Sequence, residues 1–292
     1  MKKQLLRMGL FGCLLIAIFS LAASASLVEK VGEGEIDWEN QVIRVKGFGV
    51  PRPGTVGPQG RLLAERAAKA DAYRNAAAVI SGVRVSSETY VKDYVTESDI
   101  ILNQIEGFIQ GGMFEDAKHS PDGLCEITLI LPLGGINGLA RLLSEQAKND
   151  AAKTSPPVIS TESVIHQPKV EPSPDELTYS GVIIDARGLG VKPALYPQIF
   201  SVDGFLLYGP TTVDVNSPGI TTMIAYSRSH EKALAMERIG KNPLQIRATS
   251  IVKADNGETT DIVLGNEATQ LLLQADAKNA ILSRAAVVMI ID

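Results

Sequence analysis

Residues 61–81, RLLAERAAKADAYRNAAAVIS, carry apolar positions at helical spacing. They predict one long helix, with Gly57-Pro58 ending the loop before it and Gly82 stopping it. Leu63, Ala70 and Ala77 recur every seven residues, and Tyr73, Ile80 and Leu62 join them on the same face; Arg66 intrudes. A face made mostly of alanine can approach a sheet closely, so it is expected to lie on one.

The segments around this helix change period. Residues 35–49 read as a hairpin: Ile36 and Trp38 alternate with acids, Glu39-Asn40 can turn, and 42–45 resumes a strand. Residues 51–60 are a proline- and glycine-rich loop. Residues 83–95 look strand-like, 100–105 a short helix behind cap-type residues, and 107–119 a strand interrupted by Gly111-Gly112. In 124–131, Cys125, Ile127, Leu129 and Leu131 point one way, and 134–148 closes the domain as a helix.

From 153 to 175, prolines 156, 157, 168, 172 and 174 fall among Ser, Thr, Glu and Lys, the composition of a linker. Beyond it, 179–186 reads as a buried strand, 187–219 as glycine- and proline-rich loops, and 220–226 as a strand. Ser229 caps a helix ending at Gly240. Strands 244–253 and 260–264 flank the hairpin signal Asp255-Asn256-Gly257. A helix follows from Asn266 to about Ser283, and the apolar run 285–291 reads as a central strand. The expected fold class is α+β: two domains, 27–150 and 177–292, each a mostly antiparallel sheet packed by one or two helices. A proline-rich linker, 151–176, joins them, and each half is expected to fold separately.

Composition adds a compartment. Lys2, Lys3 and Arg7 precede an apolar run, 8–21, and Ala23-Ser24-Ala25 fits a small-x-small cleavage site. Residues 1–25 therefore read as a cleavable signal peptide, cut after Ala25. Leu10-Phe11-Gly12-Cys13 resembles a lipid-attachment pattern, but the apolar run continues past Cys13. No later run has the roughly 20 apolar residues of a spanning helix, so the mature chain is expected to lack one. The expected location is periplasmic or outer-membrane-associated. Losing the three signal-peptide cations takes the net charge from −5 to −8. That balance argues against nucleic acid and against electrostatic docking on anionic lipid. Cys125 remains alone after cleavage, so no intramolecular disulfide can form.

Candidate chemistry is sparse. Gly188-Leu189-Gly190 follows a strand, but Pro193 and Pro197 oppose the helix a phosphate loop needs. Cys125 falls on the inner face of a strand, where a thiol is a small hydrophobe. His119, His166 and His230 have no ligand spacing, and the acids of 255–258 lack a full calcium loop. No catalytic, cofactor or metal residues are assigned, and no enzyme activity is expected. The weak ligand-binding candidates are Asp185 and Arg187, which end an apolar strand before a glycine-rich loop.

One family resemblance rests on a series of short motifs. Gly47-Phe48-Gly49 leads into the long helix. Gly82-Val83-x-Val85 leads on to Thr89, and Ser98-Asp99-x-Ile101 precedes Gly107-Phe108-Ile109. Asp122-Gly123 then precedes the strand ending Leu131-Pro132-Leu133. Over about residues 30–145 this order resembles the N-terminal domain of flagellar assembly protein T and the related small outer-membrane lipoproteins. The resemblance implies an α+β domain with a long helix against an antiparallel sheet. It also implies a non-enzymatic envelope role in protein–protein assembly, flagellum- or outer-membrane-associated. The expected partners are other envelope proteins, including a homo-oligomer. The alternative is a periplasmic ligand- or glycan-binding module acting through the second domain, motivated by its loops over 187–219.

Overall fold

The computed structural model describes residues 27–153 and 178–292. The expected signal peptide, His166 and the linker, except for its first three positions, lie outside the described residues. Those three positions, 151–153, are helical.

The first domain runs β1 (Val28–Val31), β2 (Gly34–Asp37), β3 (Val42–Gly49), α1 (Gly57–Ser81), α2 (Val91–Glu97), α3 (Asp99–Gln110), β4 (Met113–Phe114), β5 (Lys118–His119), β6 (Cys125–Pro132), α4 (Leu139–Leu142) and α5 (Ser144–Lys153). Its sheet is ordered β1-β2-β3-β6-β4, with β5 also on β6, and every pairing is antiparallel. The expected hairpin is β2–β3. Strand β6 alternates as expected, with Cys125, Ile127, Leu129 and Leu131 buried.

Helix α1 begins earlier than expected. Gly57 and Pro58 form its first turn, where proline's missing N–H costs nothing. Its buried face also differs. Ala64, Ala68, Ala72 and Ala76, four residues apart, are fully buried, as is the expected Ile80. Ala70 and Ala77 are exposed, and Leu62 is half exposed. The reason lies on the strand opposite. Gly47 and Gly49 of β3 present no side chains, so the helix settles with its four-residue alanine row directly on their backbone. A Cβ on Gly47 would lie 2.2 Å from the Ala68 carbonyl oxygen, and one on Gly49 2.1 Å from that of Ala64. Beyond Val45 the edge of β3 lacks a strand partner on the β2 side. There Asp71 accepts the Phe48 amide at 3.0 Å and the Asn75 amide donates to the Lys46 carbonyl at 3.0 Å. The exposed position of Ala77 implies that Ala77→Leu changes stability by no more than about 0.5 kcal/mol. Ala72→Leu, set against Gly47, should cost at least about 2 kcal/mol by overpacking. Urea unfolding of the two variants checks both values.

Two expected strands differ: 83–95 ends in a helix, and 107–119 is helical to Gln110 with only the short strands β4 and β5 after Gly111-Gly112. Residues 83–95 contain only an isolated bridge, Arg84–Tyr90; the chain then turns into α2, where the Tyr90 amide donates to the Asp93 carboxylate at 2.7 Å. In 107–119 the helix α3 persists to Gln110, because Ile101, Ile105 and Ile109 bury at four-residue spacing. The close approach expected of Gly111-Gly112 is present: a Cβ on Gly112 would lie 2.6 Å from both Leu129 and Leu131.

The second domain runs β7 (Gly181–Asp185), β8 (Ile199–Ser201), β9 (Leu206–Tyr208), β10 (Ala225–Ser227), α6 (His230–Leu234), β11 (Pro243–Val252), β12 (Asp261–Leu264), α7 (Asn266–Asn279) and β13 (Val287–Ile290). Its sheet is ordered β10-β13-β7-β11-β12-β8-β9. The fold is α+β as expected, but this second sheet is mixed rather than mostly antiparallel. β10/β13, β13/β7, β7/β11 and β12/β8 are parallel; β11/β12 and β8/β9 are antiparallel. The Asp255-Asn256-Gly257 turn fixes only the β11–β12 hairpin. The apolar runs of β7 and β13 are buried on both faces, as parallel strands are.

The two halves share one continuous apolar core. Trp38 meets Tyr226 edge to face, with ring centroids 6.2 Å apart. The Tyr196 hydroxyl donates to the Ala140 carbonyl, and the Gly135 amide to that of Thr221 at 2.8 Å.

Candidate functional site

The segment between α1 and α2 positions the site. Val83 and Val85 are buried, and the chain folds back on itself through the Val85 amide to the Thr89 carbonyl, 2.8 Å. The outer side of this turn is then free to receive the second domain. The Leu195 and Tyr196 amides donate to the Arg84 and Val85 carbonyls at 3.0 and 2.8 Å, a short backbone ladder between the halves.

Two polar clusters flank this ladder. In one, the buried Arg84 guanidinium holds Glu29 through two bonds of 2.9 and 2.7 Å and donates to the Pro193 carbonyl at 3.1 Å. Glu258, from the β11–β12 turn, accepts from the Tyr90 hydroxyl at 2.9 Å and lies 3.2 Å from the Lys192 ammonium. Burial pushes the Glu258 carboxyl up. Bonds from Tyr90 and Lys192, with the Lys192 and Arg84 charges, outweigh that and hold it below the usual carboxylate range.

In the other, the Asp261 carboxylate is buried at the start of β12. One oxygen accepts from the Gln198 amide and the Thr260 hydroxyl, both at 2.8 Å; the other accepts from the Ser87 hydroxyl at 2.9 Å. Burial raises its pKa against those three bonds. Asn256 donates to the Ser87 carbonyl at 3.0 Å, tying the hairpin turn to the same segment.

Beside Asp261 a cleft of about 360 Å³ opens between the domains. Tyr94, Tyr196 and Phe200 give it apolar walls, and Ser86, Asp150 and Gln198 are polar residues of its lining. The Tyr94 hydroxyl donates to Asp150 at 2.7 Å, and its pKa is raised by burial and by that bond. Ser87 is bonded directly to a carboxylate with no imidazole between them, so the pair positions the hydroxyl without activating it as a nucleophile. Among the described residues the cleft lining holds no serine–histidine dyad.

The residues singled out from sequence lie elsewhere. Asp185 and Arg187 pair with each other at the end of β7, with contacts of 2.9 and 2.6 Å, and neither lines the cleft. The Arg187 guanidinium holds the Asp185 carboxyl below its usual range, and Asp185 raises Arg187 in turn. Gly188 and Gly190 adopt left-handed turn conformations, and the Gly188 amide donates to the Asp292 carboxylate at 2.9 Å. Cys125 is buried in β6, where burial raises its pKa. His119 is exposed in β5 and His230 begins α6, so the two are on different domains. Sequence reasoning missed Arg84, Ser87 and Asp261, and weighed Glu258 only as part of an incomplete calcium loop. The available signal was Asp261, the one ionisable residue of the expected strand 260–264.

Residues 181–292 match the family described as Treponema pallidum Tp0624, second domain. That match coincides with the second domain from β7 onward. A comparison of the chain with curated proteins returned no match. Among the described residues, no helix is long and apolar enough to cross a membrane.

Proposed function

We propose that this chain is an exported, non-enzymatic cell-envelope protein that binds a small hydroxylated ligand, of sugar size, in the inter-domain cleft. The observation that supports this reading is the composition of that cleft. Aromatic walls stand beside carboxylates and hydroxyls, in a volume within the range of small-molecule sites. The segment 187–219, whose loops motivated the ligand-binding alternative, supplies Tyr196, Gln198, Phe200 of β8 and Pro210 to its lining. Among the described residues the Gln198 side-chain amide has no hydrogen-bond partner, leaving donor and acceptor for a ligand. Saturation-transfer NMR and calorimetry with neutral sugars, aminosugars and their disaccharides test it. Binding by at least one class, weakened by Gln198→Ala with no loss of thermal stability, is the expected result. Absence of binding across the panel would overturn it.

A second reading, assembly with other protein chains, draws on the flagellar assembly protein T resemblance and on the edge of the second sheet. Strand β9 is the outer strand, and Phe205 just before it is 70% exposed with Leu206 beside it. A free edge with an exposed aromatic suits pairing with a second copy. Sedimentation analysis should then show a dimer that Phe205→Ser dissociates; a monomer at all concentrations would remove this reading.

A further inference from the structure

A second groove between the halves, of about 550 Å³, is lined by Glu39 and Gln41 from the β2–β3 turn and by Thr221, Arg238, Arg284 and Ala285. Its two arginines are partnered only by neutral groups. Arg238 donates to the Val287 carbonyl at 3.3 Å, the Thr222 carbonyl at 3.1 Å, and the hydroxyls of Thr221 and Thr222 at 3.1 and 3.3 Å. Arg284 donates to the carbonyls of Asn279, Ala280 and Ser180 at 3.2 to 3.3 Å. Among the described residues neither guanidinium has a carboxylate within 4.0 Å. Of the two acids in the lining, Glu39 is spent on Lys232 at 2.9 Å and on the Ser227 hydroxyl at 3.2 Å. Glu237, the other, is exposed.

Arg238, partly buried and held only by neutral acceptors, keeps its charge uncompensated, which is costly unless an anion arrives; Arg284 is exposed beside the groove. Burial lowers the Arg238 pKa, with only Tyr208 opposing. Of the three described non-glycine residues with left-handed backbone, two, Gln41 (φ 57) and Ala285 (φ 53), also line this groove. Such strain gathers where a surface is shaped for binding.

We propose that this groove is a site for a small oxyanion, a carboxylate or phosphate group, held by the Arg238 and Arg284 guanidiniums and the Thr221 hydroxyl. A guanidinium fork matches either anion through paired N–H bonds. The site is separate from the cleft beside Asp261 and does not depend on the reading of that cleft.

Thermal unfolding and calorimetry of the full chain test it, with sodium phosphate, sodium acetate and sodium chloride at matched ionic strength. Phosphate or acetate is expected to raise Tm saturably beyond chloride, and whichever saturates at lower concentration identifies the anion class. Arg284→Gln removes an exposed side chain bonded only to carbonyls. It should leave the Tm in chloride nearly unchanged and weaken anion binding about tenfold, as loss of one charge-assisted contact does. Arg238→Lys should weaken it by a similar factor. Equal stabilisation by all three salts, or full anion binding retained in Arg284→Gln, would overturn the proposal.

Discussion

Gly47→Ala is expected to destabilise the chain by about 4 kcal/mol or more, at the far end of what one methyl group does. The added Cβ would lie 2.2 Å from the Ala68 carbonyl oxygen and 2.4 Å from the Ala72 amide nitrogen. Both are helix backbone atoms, so no side-chain rotation relieves the clash; α1 must lift from β3. Lifting it would also separate Asp71 from the Phe48 amide and Asn75 from the Lys46 carbonyl. Gly107 is the control. It is exposed in α3, a Cβ there meets nothing within 4 Å, and its φ lies outside the left-handed range. Gly107→Ala should therefore stabilise, by up to about 1 kcal/mol, through helix propensity. Urea unfolding gives both values. A Gly47→Ala protein within about 1 kcal/mol of the parent would mean that the helix does not rest on the strand backbone.

This contact also shows what the sequence made legible. The 25-residue helix and the alternation of β6 follow from local period, which is readable without partners. Which face of α1 is buried is not local. An alanine-rich helix offers several small faces, and the one chosen is set by Gly47 and Gly49, on the strand that precedes the helix across the loop. The Ile101, Ile105 and Ile109 spacing was readable but competed with β-rich composition around Gly111-Gly112. In the second sheet the hairpin turn announced the one antiparallel pair it makes. The parallel pairs join strands far apart in sequence, such as β7 and β13, and buried parallel strands carry no alternation to read. The candidate site was the least legible part. Ser87 and Asp261 are 174 positions apart, Tyr90 and Glu258 168, and neither pair has a spacing motif. Asp185 and Arg187 stood out because they are only two positions apart in sequence, and that closeness is what lets them satisfy each other.

Asp261→Asn should leave the protein at least as stable as the parent at pH 7.5, and Asp261→Ala should cost about 2–3 kcal/mol, from three orphaned donors worth about 1 kcal/mol each. In the Asn variant the remaining oxygen still accepts from the Gln198 amide and Thr260 hydroxyl. Its amide nitrogen replaces the oxygen facing Ser87, whose hydroxyl rotates to accept. The pH dependence follows from the direction of the shift. Burial raises the folded-state pKa of Asp261, helped by the charge of Glu88 and opposed by its three bonds. The protonated form is thus the one the fold favours. Its contribution to stability is complete below the unfolded value of about 3.9 and is lost as pH rises through the folded value. Relative to the parent, Asp261→Asn should gain stability from pH 4 upward and level off once the parent carboxyl is ionised in the fold. Urea unfolding of parent, Asn and Ala proteins at several pH values between 4 and 8 measures this difference, with titrations common to all three cancelling. If Asp261→Asn is as damaging as Asp261→Ala at pH 7.5, the fold requires the charged carboxylate. Asp261 would then hold the two domains together as an anion, with the cleft beside it shaped around that charge.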